Sequence, residues 1–191
     1  MIVTTKTREV KSYERYKTID FPIQIDPRGF SKKPTEEETK LIRKTIKKEK
    51  LDLEKLRNKL CYGHTVCPAI FDENQGFNMQ QIFLVDVDEG RSVEENIKIA
   101  DNEKIFPNII YKTFSGNTCN QKHRLVFLFD IPIASKRKRD NIQNKLNNIF
   151  AGDKSTIDYK RLFYGGNVCY FYNPFTVLVY LKGGIISAAK I

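Results

Sequence analysis

The chain has no tryptophan, and its only histidines are His64 and His123. Two histidines this far apart cannot form the pair flanking one hydrophobic residue on which rolling-circle endonucleases rely. No apolar run approaches the roughly 18 residues needed to cross a bilayer. The first residues, MIVTTKTREVK, lack the apolar core of a secretory signal. A soluble protein that stays in the cytoplasm is therefore expected. The basic helical stretches lack the Trp- or Phe-rich apolar face used by helices lying on membranes, which argues against a membrane partner. Four cysteines without an export signal read as reduced thiols rather than a disulfide framework. Neither GxxxxGK[ST] nor GxGxxG occurs, so the common mononucleotide and dinucleotide folds lose their best mark. There is no internal repeat and no low-complexity segment.

What is present suits one folded domain. The 191 residues are 40% hydrophobic, 12% aromatic and 29% charged, a composition that excludes a wholly disordered or collagenous chain. Lysine and arginine total 33 against 23 acids, a formal charge of +10 that favours a polyanionic partner.

Residues 1–34 mix basic, aromatic and proline-containing stretches and predict a strand or two within irregular structure. Thr35 followed by Glu38 has capping-box spacing, with acids at the positive end of the helix dipole. The spacing of Ile42, Ile46, Leu53, Leu56 and Leu60 predicts helix from there to residue 60, its lysines and arginines forming a solvated face. A loop follows, then the compact apolar run Ile82–Asp88, IFLVDVD, which reads as a central strand. Ser92 with Glu95 caps a short helix through Ile97 and Ala100. Residues 108–114 and 123–130 read as strands, and Ser135 caps a third helix lined by Ile142, Leu146, Ile149 and Phe150. Lys136, Arg137, Lys138 and Arg139 crowd the first turn of that helix, where cations are locally unfavourable. Such a cluster is either a solvated turn or a site for an external anion. Strand-like runs at 168–173 and 176–181 close the chain, with Gly183-Gly184 after them. The order predicts an α+β fold with a mostly antiparallel sheet and helices on one face.

Asp86 and Asp88 are two apart on a predicted strand, so both project from the same face while Val85 and Val87 project from the other. Two carboxylates this close repel unless a cation neutralises them, which suits a hard divalent metal with oxygen ligands. The alternative is a pair of solvated aspartates at a strand end. His123 stands between Lys122 and Arg124, a setting for an anion or simply an idle strand end. Asp158 alone reads as a turn residue, and Gly165-Gly166 permits close approach by a ligand or by a hairpin's own backbone. Cys61, His64 and Cys67 form C-x₂-H-x₂-C, and Cys119 is the nearest candidate for a fourth zinc ligand, a weaker pattern than two spaced cysteine pairs. Cys169, in an apolar run, reads as core.

Together, φφφDVD, then S…HRφVFφφD, then φD…RφFYGG over residues 82–166 resemble the catalytic core of the archaeo-eukaryotic primase superfamily, particularly the primase-polymerase domains of plasmid and phage replication proteins. The resemblance implies an RRM-like sheet, residues 81–181, joined to an N-terminal αβ unit, residues 1–80, within one catalytic domain. It implies Asp86, Asp88 and Asp158 as catalytic carboxylates holding Mg²⁺ or Mn²⁺. His123 and Ser115 match the phosphate-contacting motif, although GNTCNQK between them is longer than the compact S-x-H form, and either His123 or Arg124 can fill the basic role. Lys122 and Arg161 complete the implied nucleotide grip. The implied chemistry is nucleotidyl transfer, with two ions about 3.5–4 Å apart serving the attacking hydroxyl and the leaving pyrophosphate.

That makes the expected function a DNA primase or primase-polymerase-like enzyme using nucleoside triphosphates on a single-stranded or primed DNA or RNA template. At this length a helicase would be a separate partner. Two other functions share the residues. One is a non-catalytic nucleic-acid-binding module of the same fold, relying on Lys136, Arg137, Lys138 and Arg139 and on base stacking by Tyr164, Tyr170 and Tyr172. The other is a metal-dependent nuclease.

Overall fold

The computed structural model describes residues 20–88, 91–115, 122–172, 176–181 and 184–190. The chain opens with β1 (Phe21–Gly29), α1 (Glu36–Thr45), β2 (Lys47–Leu51), α2 (Leu53–Cys61) and β3 (His64–Cys67). It continues through β4 (Ala69–Phe71), β5 (Phe77–Val87), α3 (Val93–Glu103), β6 (Ile109–Thr113), β7 (His123–Ile133) and α4 (Lys136–Phe150). A 3-10 turn (Lys154–Ile157) leads to β8 (Gly166–Phe171), β9 (Thr176–Leu181) and β10 (Gly184–Lys190). The fold is α+β. A three-stranded sheet runs β2-β1-β3, and a seven-stranded sheet runs β10-β9-β7-β5-β4, with β6 bridging β7 and β8. The pairings are antiparallel apart from β7 with β9.

The single helix expected over 35–60 is two helices with a strand between them. Its start is as the sequence indicates: the Thr35 hydroxyl accepts from the Glu38 amide at 3.2 Å and the Glu38 carboxylate accepts from the Thr35 amide at 2.7 Å. At Ile46 the backbone turns extended, and Lys47–Leu51 pairs with β1 from Phe21↔Leu51 to Ile25↔Lys47. Lysine and glutamate are good helix formers, but propensity is a weak preference that tertiary pairing overrides, and the open edge of β1 supplies a full ladder instead. Asp52 then caps α2, its carboxylate accepting from the Lys55 amide at 2.7 Å. The other caps are where the spacing predicts them, at Ser92 and Ser135.

Strand alternation gives the large sheet two buried faces. Phe83, Val85 and Val87 of β5 join Leu125, Phe127 and Phe129 of β7 under α3 and α4, with Ile142, Leu146 and Phe150 packed onto them. Ile82 and Leu84 join Val126 and Leu128 on the opposite face, covered by Phe21, Ile23 and Ile25 of β1 and by Leu53, Leu56 and Leu60 of α2. The two helices of the core, α3 and α4, thus share one face, and α2 of the N-terminal stretch covers the other. The expected division at residues 80 and 81 falls inside β5.

Candidate active site

At one end of β5 and β7 the second face is not filled by apolar side chains. It opens into a pocket of about 290 Å³. Asp86 and Asp88 line it from β5, Thr113, Phe114 and Ser115 from the end of β6, and Lys122 and Arg124 from the start of β7. Arg161, Tyr164 and Gly165 enter from the segment before β8, and Lys33 and Arg43 from the N-terminal unit. Five cations, Lys33, Arg43, Lys122, Arg124 and Arg161, thus surround two carboxylates.

Asp86 is 2% exposed, and both its oxygens are held by Arg124: Nε donates to Oδ1 at 2.8 Å and Nη2 to Oδ2 at 3.0 Å. Arg124 also donates to the Tyr164 carbonyl and, at 3.4 Å, to the Tyr111 hydroxyl. Burial works against the charge on Arg124, but Tyr111 and Asp86 outweigh it and hold the guanidinium above its ordinary pKa. Burial pushes the Tyr111 phenol up to about 12 despite that cation. Asp88 is half-buried, with Lys122 Nζ 3.5 Å from Oδ1. The Ser115 hydroxyl meets that of Thr113 at 3.3 Å.

The register of β5 with β7 puts the two basic candidates on opposite faces. Asp86 lies opposite Arg124, and Val87 opposite His123. Arg124 therefore shares the pocket face. His123 turns to the α3 side, fully buried, with Nε2 3.1 Å from Asn96 Nδ2. Asp158 does not line the pocket: it is exposed, and its carboxylate accepts from the Lys160 amide at 3.0 Å, closing a turn. Arg139 is also displaced from its expected role. At 2% exposed it donates to Gln80 Oε1 at 2.9 Å and to the carbonyls of Thr156 and Ile157, so it anchors the 3-10 turn and cannot reach a nucleic acid. Burial lowers its pKa, with Asp140 opposing. Lys136, Arg137 and Lys138 are exposed.

Three pocket-related residues escaped the sequence reading. Lys33 lies in the irregular segment, and Arg43 lies on the helix face assigned to solvent. Asp153 reads as a cap: its carboxylate accepts from the Ser155 amide at 2.8 Å. Its own amide donates to the Asp86 carbonyl at 2.8 Å, and its carboxylate stands 3.6 Å from Arg161 Nη2. Burial would raise the Asp153 pKa, but the bonds from Ser155 and the Arg161 charge bring it below its ordinary value.

Asp86 and Asp88 offer hard oxygens on one face, and Mg²⁺ is commonly held by one or two carboxylates together with substrate phosphates. Both oxygens of Asp86 are engaged by Arg124, so an ion there would share that carboxylate with the guanidinium. The three-carboxylate centre is not assembled, since no group of three acidic, histidine or cysteine side chains gathers as an ion site among the described residues. The zinc pattern disperses likewise. Cys61 is exposed, the His64 ring pairs with the Asp26 carbonyl at 2.9 Å, and buried Cys67 donates to the Tyr159 carbonyl at 3.4 Å. Cys119 and the Tyr170 side chain lie outside the described residues.

No protein-family description matches the chain, and no curated protein sequence matches it. Among solved structures it is similar to the AEP domain of the cyanophage S-2L primase-polymerase, at 9% identity over 87% of each chain and a TM-score of 0.43. The likeness is coarse, and the site rests on its own geometry.

Proposed function

We propose that the chain is a primase-polymerase-like nucleotidyltransferase with an RRM-like core, whose pocket takes the triphosphate of an incoming nucleotide. The observation that carries this reading is the sharing of one pocket by the Asp86–Asp88 pair and five cations. A triphosphate brings more negative charge than two aspartates, and the surplus of cations matches it. Lys122 and Arg161 reach the phosphates from the sheet side, Lys33 and Arg43 from the N-terminal unit, and the Ser115 hydroxyl adds a hydrogen bond. Arg124, fixed by Asp86, keeps that carboxylate oriented and contributes positive potential at the pocket wall.

Asp86 and Asp88 would hold Mg²⁺ or Mn²⁺, which when bound supplies charge neutralisation at the transferring phosphoryl group. The partners are nucleoside triphosphates and a single-stranded or primed template. Template-directed extension of a labelled primer tests this, with ribo- and deoxyribonucleotides in Mg²⁺ and in Mn²⁺. Incorporation lost on Asp86→Asn with Asp88→Asn is the expected result, and incorporation that survives both changes overturns it.

A second reading has its own support. Both oxygens of Asp86 are already engaged by Arg124, an arrangement equally suited to a binding module of the same fold without catalysis. Salt-sensitive nucleic-acid binding indifferent to metal, with no incorporation, selects the module.

A further inference from the structure

Beside the pocket rim lies an aromatic cluster that the nucleotide site does not use. Tyr159, half-buried in the turn after the 3-10 segment, meets Phe71 edge-on at 5.8 Å and 75°, and Phe77 at 5.6 Å and 77°. All three residues are half-buried. Lys136 Nζ stands 5.8 Å from the centre of the Tyr159 ring and Lys160 Nζ stands 5.7 Å from it. Lys160 is also 5.8 Å from the centre of Phe71. Lys136 is shared with Asp140 at 2.8 Å, while Arg137 and Lys138 extend the positive charge along the exposed first turn of α4. The nearby hairpin acid Asp72 is turned onto the amides of Asn74 and Gly76.

The cluster is continuous with the pocket through the chain itself. Lys160 precedes Arg161, a pocket residue, and the Lys160 carbonyl accepts from Arg43, another pocket residue, at 3.4 Å. Two ammonium groups within 5.8 Å of one ring's centre give phosphates partners beside that ring. Aromatic faces interleaved with cations are what an unpaired strand uses, since bases stack while phosphates pair. A duplex hides its base faces.

We propose that Phe71, Tyr159 and Phe77, with Lys136 and Lys160, form the track by which a single strand of nucleic acid approaches the pocket. The direction of the track rests on the nucleotide reading above; the binding does not.

Fluorescence anisotropy on the full chain tests it, using labelled oligothymidylate, an abasic strand of equal length and a blunt duplex. Tyr159→Ala is expected to weaken oligothymidylate binding about tenfold, with little effect on the abasic strand, and Tyr159→Phe to leave both intact. Lys136→Glu with Lys160→Glu is expected to weaken both strands and to flatten the salt dependence by about 0.7 for each phosphate no longer neutralised. Tyr159→Leu keeps apolar volume against Phe71 and Phe77, and serves if Tyr159→Ala does not fold. Unchanged oligothymidylate binding in these variants overturns the track, as does an equal loss on the abasic strand or equal affinity for the duplex. Should incorporation be absent while this pattern persists, the nucleotide reading fails and the track stands. Should metal-dependent incorporation persist while Tyr159 variants bind normally, the reverse holds.

Discussion

Arg124 and Asp86 face each other as register partners across β7 and β5, joined by two nearly parallel hydrogen bonds of 2.8 and 3.0 Å. The guanidinium also lies 5.8 Å from the centre of the Tyr111 ring and 5.5 Å from that of Phe163. A buried pair of this geometry is far more costly to break than to replace. Arg124→Ala leaves Asp86 buried and uncompensated, and is expected to cost about 3–5 kcal/mol in urea unfolding. Arg124→Leu with Asp86→Leu should recover much of that, because the lone buried charge is gone.

The opposite orientation of the neighbouring residue separates structural from nucleotide-contacting roles. His123→Ala removes the partner of Asn96 and is expected to cost about 1–3 kcal/mol of stability. Nucleotide affinity of the folded fraction should not change. Lys122→Ala and Arg161→Ala should instead weaken nucleotide binding with small effects on unfolding. Calorimetric titration with a nonhydrolysable triphosphate, alongside the unfolding curves, distinguishes these.

Gly166 allows close approach by the protein's own backbone. A Cβ there would lie 1.8 Å from the Lys112 carbonyl oxygen and 3.2 Å from the Tyr111 ring. Gly166→Ala must push β8 away from β6 at Thr113↔Gly166. A drop of several degrees in the melting temperature is expected, with faster amide exchange at β6 and β8.

The thiols should sort by burial under native labelling. Burial pushes the Cys67 thiol up to about 12, so roughly one in ten thousand is ionised at pH 8. Cys169 is raised too, by burial and by its contact with the Cys61 thiol. Exposed Cys61 should be alkylated first by iodoacetamide and Cys67 only after unfolding, as read by peptide mass spectrometry.

Acid should expose the linkage at Asp26. This fully buried carboxylate accepts from Arg28 at 2.9 and 3.0 Å and from the Thr45 hydroxyl. Burial raises its pKa, but the bonds from Arg28 and Thr45 prevail and set it below the ordinary 3.8. A lowered native pKa means the stabilisation is complete at neutral pH and is lost as the pH falls through and below that ordinary value. Asp26→Asn should be less stable than the parent at pH 7, with the gap narrowing at pH 3 in urea midpoints.

Local chemistry was legible wherever one segment suffices to decide it. Thr35, Ser92 and Ser135 cap helices because an oxygen three residues from an amide closes the same bond in any context. The run IFLVDVD is a central strand because its apolar density admits burial on both faces. The break at Ile46 was not legible, because β1 supplies the competing partner. Nor was the burial of Arg139, whose four-cation run gives no sign of which member points inward to the carbonyls of Thr156 and Ile157.

By itself, the sequence determined an α+β class, three helix starts, and a strand bearing Asp86 and Asp88 on one face, since each follows from spacing along a few residues. Tertiary structure alone decided that Arg124 rather than His123 shares that face, that Asp158 stays outside while Asp153 bonds to Asp86, and that Lys33 and Arg43 complete the pocket. Pairing register and the packing of distant segments set those outcomes, and neither is encoded within any single stretch of chain.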